Sequence, residues 1–404
     1  MRGIEVARIL PLLVFAAFSV SGFAAEKGHV FSMSCKVNAL NGAFATPEGR
    51  AKAIEGFRRF HVTKLWLESY RHTERVSVER LVEVRDAFRK AGFETCGLIT
   101  PTQLNTNLQM VCCWSDPHAR RRLREEVEKA ARVFDTVIMD DFLFAWCGNK
   151  GYPCARCEAA KAAAGVKDWG AFKRALMFDV CKRDIVEAAK AVNPKAHFII
   201  KFPCWYRNYA RDGYDPVPQT ELFGECWIGT ETRDANPNAL QACWIIDWMD
   251  RITKGRCGGG WYDPLDSKPE KYVEQARYTI LGGARESLLH CYDYMLADDP
   301  GSTPFGEKMG GGHACASALE KEIDGLVRLA ELVRGADRGK FEMRADKVSR
   351  HLFTKGGRTL VAYQNTTDRP APVAETGKKP VLSLPADGVY GDGTLAPHGF
   401  VLFE

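Results

Sequence analysis

From residue 29 to residue 335 the chain repeats one pattern, a short apolar run followed by a stretch with helical period. HVFSMSC (29–35) precedes PEGRAKAIEGFRRF, TKLWLES (63–69) precedes SVERLVEVRDAFRKAG with Gly92 as its stop, and FETCGLITP (93–101) leads to DPHARRRLREEVEKAARVF. DTVIMDDF (135–142) leads through a cysteine-bearing loop to a helix from Trp169 to Val192, and AHFIIKFP (196–203) leads through an aromatic loop to PQTELFG. ECWIGTETRD (225–234) precedes ACWIIDWMDRITKG, CGGGWYDP (257–264) precedes PEKYVEQARYTILGGA, and ESLLHCYDY (286–294) precedes ALEKEIDGLVRLAELVRG. Apolar runs alternating with helices imply parallel strands joined by helical crossovers. Eight such units over about 310 residues predict an α/β fold, a (β/α)8 TIM barrel, where a doubly wound sheet rarely needs so many regular units.

The barrel is expected over residues 25–338. Beyond it the texture changes to HLFTK, TLVAYQNTT, VLSLP and FVLFE, separated by Gly, Pro and Asp, with Gly356-Gly357 as a hairpin turn. This predicts a small antiparallel, β-sandwich-like domain over residues 339–404. The N-terminus carries Arg2 and Arg8, an apolar run from Ile9 to Val20, and small residues at Gly22 and Ala24. That is the pattern of a signal peptide over residues 1–24, cut after Ala24, so the mature protein is expected to be secreted or periplasmic, with no membrane span. The net charge of +5 includes HARRRLREEVEKAAR, where both signs alternate along a helix, which reads as a solvated face and not as a nucleic acid site.

Catalytic groups of a TIM barrel project from the C-terminal ends of its strands. There the chain places Glu68, Asp140, Asp141, Lys201, Glu231, Arg233, Asp234, Asp263, Tyr292 and Asp293, with Trp66, Trp205 and Trp261 in or beside the same ends. Sugars present apolar C–H faces and many hydroxyls, so flat aromatic rings beside carboxylates and a few basic donors suit a carbohydrate partner. Asp141 also reads as a loop cap, Asp263 as a turn former before Pro264, and Glu68 as a partner of Arg71 or Lys201. Glycoside cleavage needs two carboxyl groups flanking the bond, and Asp140 with Asp234, from strands four and six, form the expected catalytic pair. The remaining residues of this set are expected to bind substrate, and no catalytic cofactor is needed. CGGGWYDP lacks the helix N-terminus that a nucleotide phosphate wants, and the nine histidines show no H-x-H pattern for a metal-dependent hydrolase. The competing reading is a carbohydrate-binding barrel without catalysis.

The apolar strand four ending in aspartate, FDTVIMD, resembles the strand-four signature of clan D α-glycosidases, which also carry a small C-terminal β domain. The resemblance implies a retaining glycoside hydrolase, with Asp140 as nucleophile, Asp234 as acid/base and Arg233 touching substrate; the long loops after strands three, four and five, able to wall a pocket, lead to the expectation that it removes a terminal sugar. Ile138 stands where that clan commonly has lysine, and the doublet leaves Asp140 and Asp141 both open as nucleophile. Cys112, Cys113, Cys147, Cys154 and Cys157 resemble the structural zinc site of family 42 β-galactosidases, whose ligands come from the loops after strands three and four. The resemblance implies zinc on Cys147, Cys154, Cys157 and one of Cys112 or Cys113. Disulfides remain the alternative for an exported chain.

Overall fold

The computed structural model describes residues 28–102, 112–147, 154–233, 240–298, 312–375, 379–386 and 389–404. The expected signal peptide and Asp234 lie outside the described residues. Eight parallel strands form the barrel: β1 Val30–Cys35, β2 Val62–Arg71, β3 Glu94–Thr100, β4 Thr136–Met139, β5 His197–Phe202, β6 Cys226–Gly229, β7 Cys257–Tyr262 and β8 Glu286–His290. Each pairs with the next, and β1 pairs with both β2 and β8, which closes the ring. Helices follow the strands and cover the outside. They start where the sequence supplies caps: the Thr46, Ser77 and Asp116 side chains accept backbone N–H groups of the first turns, and Gly92 at φ +97° follows the end of the second of these helices.

Alternation along each strand decides what faces inward. Trp66, Cys96, Leu98, Ile138, Ile199, Trp227, Trp261 and Leu288 form one apolar cluster inside the barrel. Stepping two residues onward from its members brings Glu68, Thr100, Asp140, Lys201, Asp263 and His290 to the C-terminal rim. The strand period that builds the barrel core thus delivers polar groups to one mouth.

After the barrel, β9 Asp337–Met343, β10 Val348–Lys355, β11 Arg358–Asn365, β12 Leu382–Leu384 and β13 Phe400–Phe403 form an antiparallel sheet in the order β9-β10-β11-β13-β12. The β10–β11 turn is Gly356-Gly357, both with positive φ (56° and 77°), as a type I′ hairpin requires. One face of the sheet, including Leu360, Ala362, Phe400 and Leu402, packs into the same core as the barrel helices. The other face, Val361, Tyr363, Val401 and Phe403, packs on Ala371 and Leu395 of a smaller three-stranded sheet and on Val389 beside it. Arg277 on the helix Pro269–Leu281 ties the two parts together. It is 2% exposed and donates to Glu322, to Gln364 and to the carbonyls of Leu384 and His398.

Candidate active site

The rim is organised around one ammonium. Lys201 Nζ, at the top of β5, donates to Asp141 Oδ2 at 2.7 Å, Glu231 Oε1 at 3.2 Å and Asp140 Oδ1 at 3.3 Å, and it lies 4.2 Å above the centre of the Trp261 ring. Asp140, just past β4, also accepts from the Asp141 N–H at 2.8 Å and pairs with Arg71 at 3.5 Å; Thr100 Oγ1 lies 3.2 Å away but gives its one proton to the nearer Glu68. Burial pushes the Asp140 carboxyl up, but Lys201, Arg71 and the Asp141 N–H outweigh it and hold it below its usual range. Its neighbour behaves oppositely. Burial dominates at Asp141, Lys201 offsets it only in part, and the negative charges of Asp140 and Glu231 add to it, so its carboxyl rises to about 7. Tyr214 donates its hydroxyl to the Asp141 carbonyl and fixes the backbone between β4 and the following loop.

Beside this pair, Asp263 Oδ2 accepts from Arg233 at 2.9 Å, while burial and nearby Glu231 lift Asp263 to about 6 against the pull of Arg233. Glu231 is 8% exposed, and its Oε2 has no hydrogen-bond partner among the described residues. It lies against Gly229, where a Cβ would stand only 2.2 Å from that oxygen. On the far side of the rim, Asp293 accepts the Lys36 N–H at 2.9 Å and the Lys36 ammonium donates to Tyr294. His290 Nδ1 meets Ser34 Oγ at 2.7 Å; burial, reinforced by Arg71 and Lys36, holds its pKa far down and the ring neutral.

Several residues expected to touch substrate are placed elsewhere. Trp66 is fully buried inside the barrel, donating to Glu286 at 2.9 Å and packed edge-on against Trp227. Glu286 opens β8, so Trp66 belongs to the barrel's lower layers and offers no platform at the rim. Tyr292 packs its ring against Phe44 and Phe57 in the outer core. Glu68 is 0% exposed, and its carboxylate is taken by Arg71, Thr100 and the Val37 N–H, so it holds Arg71 and does not meet a ligand. Trp205, by contrast, is 40% exposed on the loop after β5. Lys36 and Arg71 were missed as candidates. Both stand at strand ends, Lys36 one residue past β1 and Arg71 last in β2, and the rule that singled out Asp140 applies to them equally.

The cysteines converge as well. Cys113 Sγ lies 3.4 Å from Cys154 Sγ and 3.6 Å from Cys157 Sγ, and the Cys147 thiol is hydrogen-bonded to Cys157. Donation from Cys113 and Cys147 favours the Cys157 thiolate and draws its pKa down to about 2. Cys112 points instead to the Pro101 carbonyl at 3.6 Å, so the first loop contributes Cys113 and not Cys112 to the cluster. None of the fourteen cysteines is in a disulfide. Sulfur separations of this size approach the edge of about 3.8 Å in a tetrahedron with metal–sulfur bonds of about 2.3 Å. The thiols of Cys113, Cys154 and Cys157 therefore could hold a metal, with Cys147 beside them on Cys157.

A family model described as "Probable glycosyl hydrolase, catalytic domain" matches residues 21–308. An uncharacterized protein of Saccharolobus solfataricus is 23% identical over 231 residues, covering 52% of this chain and 39% of the relative, so the match spans well under half of that protein. Among solved structures, an α-amylase from Lactobacillus plantarum superposes with a TM-score of 0.54 at 11% identity, covering 93% of this chain and 98% of that one. The PgaB glycoside hydrolase domain of Bordetella bronchiseptica does so with a TM-score of 0.52 at 10% identity, covering 74% and 99%. At such identities the two structures speak for the fold.

Proposed function

Because this chain belongs to the family of probable glycosyl hydrolase catalytic domains, we propose that it is an exported glycoside hydrolase that removes a terminal sugar from an oligo- or polysaccharide, with Asp140 as the ionised carboxylate at the anomeric carbon. The observation that carries the reading is the set of donors converging on Asp140: Lys201, Arg71 and the Asp141 N–H all favour its anion. In a retaining mechanism that anion attacks the anomeric carbon as a carboxyl acid protonates the departing oxygen; the same acid, now a base, then activates the water that releases the sugar. The acid/base assigned from the sequence is Asp234, directly after Arg233. Arg233, Asp263 and the exposed Trp205 are the residues proposed to meet the sugar, Trp205 as a stacking surface at the edge of the rim.

Export rests on residues 1–24 and is tested by N-terminal sequencing of the protein recovered outside the cytoplasm, which should begin after Ala24. Cys113, Cys147, Cys154 and Cys157 are assigned a structural zinc that ties the loops after β3 and β4 together beside Asp140 and takes no part in the reaction. For the chemistry, the test is a screen of the purified protein against nitrophenyl glycosides, followed by Asp140→Asn and Asp234→Asn on the glycoside that is cleaved. Each variant should lose turnover by about a hundredfold to ten-thousandfold with melting unchanged. Near-normal turnover in either would remove that residue from the pair.

A further inference from the structure

All three hydrogens of the Lys201 ammonium are taken inside the protein. Its side chain is 3% exposed; Asp141, Glu231 and Asp140 surround the nitrogen at 2.7, 3.2 and 3.3 Å, and the Trp261 ring closes the remaining side at 4.2 Å. No donor is left for a sugar, so the place expected of Lys201 among the substrate ligands does not suit it. The surrounding donors are shared unevenly. Asp140 receives a second cation, Arg71, together with a backbone N–H, whereas among the described residues Lys201 is the one cation on Asp141, which shares it with two other carboxylates. Three carboxylates around one ammonium, shielded from water, repel one another strongly, and the one with fewest donors most easily keeps a proton.

We propose that Lys201 is a positioning residue that sets the charge of this cluster: together with Arg71 it keeps Asp140 an anion, and, shared among three carboxylates, it leaves Asp141 as the one that takes up a proton. The opposite displacements of the two carboxyls, Asp140 downward and Asp141 to about 7, agree with it. Lys201 thereby draws both carboxyls down while Arg71 separates them, so adjacent aspartates of one strand end differ in charge near neutral pH, and the protonated Asp141 is a neutral hydrogen-bond donor beside the attacking carboxylate. The kinetic consequence rests on the glycoside-hydrolase reading; the charge assignment does not.

The test has two arms that fail separately. Carbon-13 NMR of protein labelled at aspartate carboxyls, assigned by Asp141→Asn, should show Asp141 titrating near 7 and Asp140 below the ordinary aspartate range. In Lys201→Met both carboxyls lose a cation, so both titrations should move up by roughly one to three pH units. On a cleaved glycoside, the acid limb of kcat/KM should move up with Asp140. A merely structural Lys201 would lower the melting temperature and leave both the titrations and the pH profile in place. Should Lys201→Met fail to fold, Arg71→Met provides the control: it should raise Asp140 and leave Asp141 near 7. Asp141 titrating near 4 in the wild type, or unmoved titrations in a folded Lys201→Met, overturns the proposal. If no glycoside is cleaved, the functional reading fails while the NMR arm still decides this one.

Discussion

Gly229→Ala is a small change aimed at the charge cluster and not at the fold. A Cβ at this position would stand 2.2 Å from Glu231 Oε2, 3.1 Å from Glu231 Cδ and 3.1 Å from the Cys204 backbone nitrogen. The first contact must open by about 1 Å to reach an ordinary van der Waals distance. The oxygen ends a flexible side chain, so Glu231 moves and the barrel does not. The stability cost should therefore stay at or below the lower end of the range of about 1 to 3 kcal/mol for overpacking, visible as a fall of a few degrees in melting temperature. The effect on chemistry should be larger. Displacing Glu231 lengthens its 3.2 Å contact with Lys201 and removes a negative neighbour from Asp141 and Asp263. Positional error of about 1 Å at a reacting constellation can cost roughly a hundredfold in rate. The assay pairs thermal melting with kcat/KM on a cleaved glycoside across pH. A melting temperature within a few degrees of wild type, with kcat/KM down at least about tenfold, is the expected result. Activity within twofold of wild type would refute the argument that Glu231 belongs to the working cluster.

Arg277→Met should destabilise the whole chain by about 3 to 5 kcal/mol in urea unfolding, because Glu322 would stay buried without its partner at the seam between barrel and C-terminal sheet. His398, paired with Glu274 and Asp368, has its pKa raised chiefly by the bond to Glu274 against the pull of burial. A raised folded-state pKa means that its stabilisation is fully present below the ordinary histidine value near 6.5 and is lost as pH rises through the folded value. Melting measured between about pH 5 and 9 should fall across that window in wild type, and His398→Asn should flatten this part of the curve. Elemental analysis of protein purified without chelator should find one zinc per chain, and Cys154→Ser should release it and lower the melting temperature; absence of metal together with disulfides among Cys113, Cys147, Cys154 and Cys157 by mass spectrometry would overturn the zinc assignment.

The barrel was legible because its signal is redundant: eight apolar runs, each followed by a helix, and inward positions spaced by two. The glycines of the β10–β11 turn were legible for a local reason, since a two-residue hairpin demands positive φ. The site was legible at the level of which end carries carboxylates. It was less so for which side chains reach the mouth. Trp66 and Glu68 share the inward face of β2, and strand alternation alone does not tell how deep each sits; Trp66 fills the lower barrel against Trp227, and Glu68 is locked under Arg71. Tyr292 follows the short β8, and the helical turn Tyr292–Met295 that succeeds it turns the ring outward onto Phe44. The charge difference between Asp140 and Asp141 could not be read from adjacent identical residues, because it arises from Arg71, Lys201 and Glu231 on other strands and loops.

Attack of Asp140 on the sugar is tested by trapping the covalent intermediate. The protein would be incubated with an activated 2-fluoro analogue of the glycoside it cleaves, whose fluorine slows release of the sugar from the enzyme, and then digested and mapped by mass spectrometry. The account predicts stoichiometric inactivation with the sugar attached through an ester to Asp140. Label on Asp141, Glu231 or Asp263, or turnover of the analogue with inversion and no adduct, would contradict it.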